Sequence, residues 1–426
     1  MYPGARWGTD WLQAGCGQPA AVGVRSLYTQ CVRIRIWFEG QPECPEICGI
    51  CSVQSVCMMG RCLNLRLCDR FPNSLPMVSS DGYAGDPSSI WAGYMTEKFS
   101  PATGLGNCHL QTVFGRFHRP SPWIGTECRW YETPDGDCLA LHAPHFLEDD
   151  PSSPLVLVLH GLEGSVASPY VQGLMASLLE RQFQVAVMHF RGCGGVPNRL
   201  PRAYHSGDSE DPRWLVGQLQ EAFPSTPIMV VGYSLGGNVL LKMLGEDGAC
   251  SRIVAAVAVS SPMDLHACSR RINTGLSKLY QRHLLGCLRM TLRQKAADPG
   301  MAAALPNVDD GASFVNFRRF DHVFTAPLHG FRSVDDYYTQ ASSKPLLRDI
   351  RVPTLIINAI DDPFVCPSAI PSQREVSSAV RLGVSERGGH VGFVSGSLWQ
   401  PTYWLEETIP RFLCSVIGGN PRVRLP

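Results

Sequence analysis

Gly232-Tyr233-Ser234-Leu235-Gly236 constrains this chain more than any other stretch. It is a G-x-S-x-G pentapeptide set between two runs of different character. Before it, residues 227–231 (Pro-Ile-Met-Val-Val) form a short apolar run that predicts a buried strand. After it, residues 238–244 (Asn-Val-Leu-Leu-Lys-Met-Leu) have helical spacing and stop at Gly245, with Gly248 close behind. A serine on so tight a strand-to-helix turn holds its hydroxyl above the sheet, and the flanking glycines let the backbone turn without a Cβ clash. The pentapeptide alone is common. With a strand and a helix in register it is specific.

A serine hydroxyl becomes a useful nucleophile only when a base takes its proton, and an imidazole base needs a carboxylate to fix its tautomer. On this kind of turn the partners follow in the order serine, acid, histidine. Downstream, the apolar run 355–360 ends in Asp361-Asp362-Pro363, and the run 380–385 is followed by Gly388-Gly389-His390. Both partners occur in the required order, each after a predicted strand. Asp362, beside Pro363 in a turn, is the favoured acid; Asp361 is the alternate and would cap the turn. Of the 12 histidines, His390 alone sits in a Gly-Gly-His loop at this place. An oxyanion needs two donors. The reading assigns them to the N–H of Leu235, directly after the serine, and of Leu162, in the His160–Gly164 loop after the strand 155–159.

The surrounding pattern predicts an α/β architecture. A hairpin is expected over 126–142 around Pro134-Asp-Gly-Asp137, and further strands at 155–159, 184–188, 253–259 and 353–358. Helical stretches at 170–182 and about 214–223 alternate with them, implying a mainly parallel sheet with helices on both faces. Residues 264 to about 345 interrupt the alternation and read as a helical lid above the carboxyl ends of the strands, where ligands bind in open α/β sheets. Packing helices on the domain flank are the bland alternative. Cys193, in a glycine-rich turn, reads as inert before it reads as a reactive thiol. Residues 204–208 could bind substrate or brace the site, with simple loop chemistry as the alternative to bracing.

Lys plus Arg and Asp plus Glu both number 37, so the chain lacks the basic footprint of a nucleic-acid partner. No apolar run is long enough for a transmembrane helix, although peripheral membrane contact stays open. The start shows no signal peptide, which makes cytoplasmic the default location. Eight of the 17 cysteines precede Met95, in a Cys-, Gly- and Pro-dense leader without periodicity. Cys44-x3-Cys48-x2-Cys51 has the spacing of an iron–sulfur site, and Cys57, Cys62 and Cys68 could make a zinc module. The favoured reading of residues 1–94 is a disordered leader or an over-long start, with 95–426 as the folded domain. No H-E-x-x-H or comparable spacing follows Met95, so no metal and no cofactor is expected.

With Ser234, Asp362 and His390 placed, the chain resembles the YheT-type branch of the α/β-hydrolase superfamily. Residues 107–112, 190–195, 197–208, 320–331, 361–364 and 388–393 carry the likeness, which spans about Gly104 to Phe412. The resemblance implies an α/β-hydrolase fold and hydrolysis of carboxylic (acyl) esters, with a small-molecule acyl ester as the substrate and its acyl length left open. Ser234 is then the nucleophile, His390 the base and Asp362 the orienting acid. Acyl transfer to alcohols on the same residues is the second expectation, and a non-catalytic binding module the third.

Overall fold

The computed structural model describes residues 98–119 and 123–418. The cysteine-rich leader and its metal readings lie outside the described residues. Eight strands form one sheet in the order β1-β2-β4-β3-β5-β6-β7-β8. They are β1 Glu127–Glu132, β2 Cys138–Ala143, β3 Leu155–Leu159, β4 Gln184–His189, β5 Ile228–Tyr233, β6 Ala255–Val259, β7 Thr354–Ala359 and β8 Val380–Ser385. The expected hairpin is β1–β2, paired antiparallel, and β2 meets β4 antiparallel; every pair from β4 to β8 is parallel.

Strands β3, β5, β6 and β7 are buried at every position, and mostly apolar, because both faces of the sheet are covered. In β3, Leu155, Leu157 and Leu159 point into one core, and Val156 and Val158 into the other. Helices α1 Cys108–Phe117, α2 Pro169–Leu179, α3 Glu210–Ala222 and α4 Leu235–Asp247 flank the sheet or cross its edge. Helix α3 packs Leu215 and Leu219 into the first core; α2 packs Leu174 and Leu178 into the second. The α/β sheet with helices on both faces is thus observed as the sequence led one to expect. Helix α3 starts four residues before the expected 214, because Pro212 falls in the first turn, where a missing N–H costs nothing.

Between β6 and β7 come α5 Leu265–Ile272, α6 Ser277–Lys295, α7 Pro299–Ala304 and, after several short helical turns, α8 Val334–Ala341. Helix α9 Trp404–Val416 then returns to the second core through Leu405, Ile409 and Phe412. A two-stranded ribbon, β9 Val394–Gly396 and β10 Pro401–Tyr403, precedes α9. Among the described residues no helix is long and apolar enough to cross a membrane.

Candidate active site

Ser234 is the single residue between β5 and α4, and its backbone sits at φ 51° and ψ −116°. A non-glycine residue at positive φ is strained and persists only where the surroundings impose it. Here the imposition is steric. A Cβ at Gly232 would lie 2.5 Å from the Gly236 carbonyl oxygen, and one at Gly236 would run into the Leu159 and His160 carbonyls. The strand-to-helix turn therefore closes only with glycine on both sides of the serine. The Ser234 N–H still pairs with the Val259 carbonyl at 2.8 Å, so the turn starts from the sheet itself.

The histidine arrives from the loop after β8. His390 Nε2 lies 3.0 Å from Ser234 Oγ, and Nδ1 lies 2.8 Å from Asp362 Oδ2. Asp362 is fully buried, and its other oxygen accepts the N–H groups of Phe364 at 2.7 Å and Val365 at 3.1 Å. One carboxylate oxygen is thereby left to the imidazole. Phe364 stacks on the imidazole with centroids 4.0 Å apart, fixing the ring plane. Asp361 points elsewhere: it accepts the Gly389 N–H at 3.0 Å, holding the loop that carries His390. Burial pushes its pKa above the usual carboxylate value.

Helix α1 contributes supports that the strand-and-turn pattern does not reveal. Asn107 caps it, accepting the His109 N–H at 2.9 Å, an N-cap signal present in the sequence. Thr112 Oγ1 accepts the His390 N–H at 2.9 Å. Gln111, fully buried, donates to the carbonyls of Leu105 and Val394 at 2.9 Å each and accepts the Val394 N–H at 2.8 Å. Gly389 and Gly392 let the loop approach this helix, since a Cβ at either would fall 2.5–2.6 Å from a carbonyl oxygen of Cys108 or Gln111.

The loop after β3 supplies donors. The Gly161 N–H is bound to the Tyr170 hydroxyl at 2.9 Å and the Glu163 N–H to the Tyr204 hydroxyl at 2.8 Å. The Leu162 N–H between them has no partner among the described residues. The Leu235 N–H is at the first position of α4, where helices leave N–H groups unpaired. His160 anchors this loop: its Nδ1 meets the Gly161 carbonyl at 2.7 Å and its Nε2 accepts the Phe190 N–H at 3.3 Å. Complete burial holds its pKa down at about 4, so it stays neutral.

Glu163 has a role that its place in the motif did not suggest. It sits at φ 52°, and its carboxylate accepts the Tyr204 hydroxyl at 2.8 Å and the Thr291 hydroxyl at 2.5 Å. Thr291 belongs to α6, so a half-buried carboxylate ties the loop bearing Leu162 to the inserted helices. Burial raises its pKa. Tyr204 thus braces, and its ring stacks on Phe190 at 5.2 Å. Cys193 is buried, and burial pushes its thiol well above the ordinary value.

Ser234 and His390 open into a cavity of about 720 Å³. Its floor is the sheet end; Leu279, Leu284, Leu288 and Phe320 of the insertion form much of the opposite wall. These four residues all come from the insertion between β6 and β7. Among the described residues no cluster of three or more His, Cys, Asp and Glu is placed to hold a metal ion.

A family model described as the alpha/beta hydrolase fold matches residues 154–397. The candidate esterase YheT of Escherichia coli (strain K12) is 42% identical over 76% of this chain and 95% of its own length. Phospholipase ABHD3 of Bos taurus is 28% identical over 76% of this chain and 80% of its own. The medium-chain fatty acid ethyl ester synthase/esterase 2 of Saccharomyces cerevisiae is 31% identical over 57% of this chain and 58% of its own.

Proposed function

The chain belongs to the α/β-hydrolase family, and from that premise we propose that it hydrolyses carboxylic esters through an acyl-enzyme on Ser234. The observation that carries this reading is the continuous chain of hydrogen bonds Ser234–His390–Asp362 at the end of the sheet. His390 Nε2 takes the Ser234 proton as Oγ attacks the ester carbonyl. The negative oxygen turns to the N–H groups of Leu162 and Leu235, which are preorganised in the backbone and need no rearrangement. His390 then gives the proton to the departing alcohol. Asp362 keeps Nδ1 protonated throughout and steadies the imidazolium. Water, deprotonated by His390, attacks the acyl-enzyme and releases the acid.

The insertion acts as a lid. Its leucines and Phe320 make an apolar wall suited to an acyl chain, and Glu163 links that wall to the Leu162 donor. A relative named both synthase and esterase supports a second outcome on the same residues, in which an alcohol replaces water at the second step. Ser234→Ala is expected to lower turnover of p-nitrophenyl butyrate by a factor on the order of 10⁵ or more. Turnover close to that of the unaltered enzyme would overturn the reading. Product analysis with ethanol or glycerol present separates hydrolysis from transfer.

A further inference from the structure

The mouth of the cavity is ringed by apolar side chains that face solvent. On α1, Leu110, Val113 and Phe117 are 51%, 41% and 71% exposed and recur on one stripe of the helix. Across the mouth, Leu276 and Leu279, at the start of α6, are each 61% exposed. The two edges are joined: His109 of α1 meets the Tyr280 hydroxyl at 3.2 Å and its ring stacks on Tyr280. Val113, Phe117 and Leu279 also line the cavity that holds Ser234, so the apolar rim and the site are continuous.

The two segments that border the mouth carry charge of one sign, although the whole chain is neutral. Residues 265–295 contain no Asp or Glu, and neither does 108–119. Arg289 and Arg293 are already engaged by Asp309, and Lys295 is buried against the carbonyls of Pro201 and Arg202. Arg270, Lys278 and Arg282 are exposed and have no ion-pair partner among the described residues. Lys278 and Arg282 flank Leu279 and are one helical turn apart, next to the rim. Exposed apolar side chains bordered by unpaired cations match an anionic membrane surface, where the apolar groups enter the headgroup boundary and the cations meet lipid phosphates.

We infer that this face docks on an anionic lipid bilayer, so that an acyl ester passes from the bilayer between α1 and α6 into the cavity. The passage of substrate rests on the ester-hydrolase reading; the docking does not. The full chain carrying Ser234→Ala is therefore floated with phosphatidylcholine vesicles, with and without about 30% phosphatidylglycerol, at low and high salt. Binding to the anionic vesicles, weakened by salt, is expected. Lys278→Glu with Arg282→Glu should reduce it by about tenfold or more, because two attractions become repulsions. In the otherwise unaltered enzyme that pair should leave turnover of soluble p-nitrophenyl butyrate within about twofold, since neither side chain lines the cavity. Leu276→Asp, at an exposed position beside the first turn of α6 where a carboxylate suits the helix dipole, should weaken binding without unfolding α6. Absence of binding, equal binding by the charge-reversed chain, or a dimer in solution that the same substitutions dissociate would overturn the inference. Loss of catalysis with vesicle binding intact would count against the function and not against the docking.

Discussion

Ser234, His390 and Asp362 meet only because their neighbours leave them no alternative. The positive φ of Ser234 is enforced by the closeness of Gly232 to Gly236, and the imidazole plane by Phe364. The two adjacent aspartates have separate tasks, and substitution distinguishes them. Asp362→Asn should lower kcat by about 10⁴-fold, because the amide cannot hold Nδ1 in its protonated state while accepting from it as a carboxylate does. Asp361→Asn keeps an acceptor for the Gly389 N–H and should cost far less; kinetics on both variants with one soluble ester would show whether that order holds. The serine, the histidine and the acid pair were legible from strand–turn spacing. Glu163, Gln111 and Thr112 were not, because their work depends on partners more than 100 residues away in sequence.

At the scale of elements, the site depends on how loops are tied to the sheet. Arg191 follows β4 and is almost completely buried. It binds Asp211 of α3 through two bonds of 2.6 Å, Asp135 at 2.7 Å and Asp137 at 3.1 Å, fastening the β1–β2 turn to α3. Arg191→Met should destabilise the fold by about 3–5 kcal/mol, since it leaves buried carboxylates unpaired. An unchanged urea midpoint would show that the network bears no such weight. Thr291→Val removes one donor to the half-buried Glu163 carboxylate and should cost about 1 kcal/mol, read as a lower Tm. The expected strands all appear, because apolar runs bounded by turns signal them directly. Helix α1 was quoted only as a motif and α9 passed unread. Each is defined mainly by long-range packing, α1 on the His390 loop and α9 on the second core.

The described residues form a mostly parallel sheet with a set of helices inserted between β6 and β7, and their stability should carry the signature of that insertion. Asp321 is buried within it and accepts the hydroxyls of Thr325 and Tyr338 at 2.7 Å each. Burial outweighs those bonds and raises its pKa from 3.8 to about 6. Between about pH 4 and 6 the native chain holds a proton that the unfolded chain has released, so this contribution to stability is full at low pH and is lost as pH rises through about 6. Asp321→Asn stays neutral and should flatten the fall in Tm across that window; an unaltered slope would assign the pH dependence elsewhere. The α/β-hydrolase fold was legible from alternation and from the elbow, and where the alternation breaks the chain inserts helices whose side chains line the cavity. The exposed rim was not, because exposure is set by which faces the tertiary fold leaves uncovered. The central claim is a covalent acyl group on one serine. Its most direct measurement is the intact mass of the enzyme treated with a fluorophosphonate, followed by peptide mapping. The account predicts a single adduct on Ser234 that Ser234→Ala and His390→Ala abolish or greatly slow. An unmodified Ser234, or an adduct formed equally well on the Ser234→Ala chain, would contradict it.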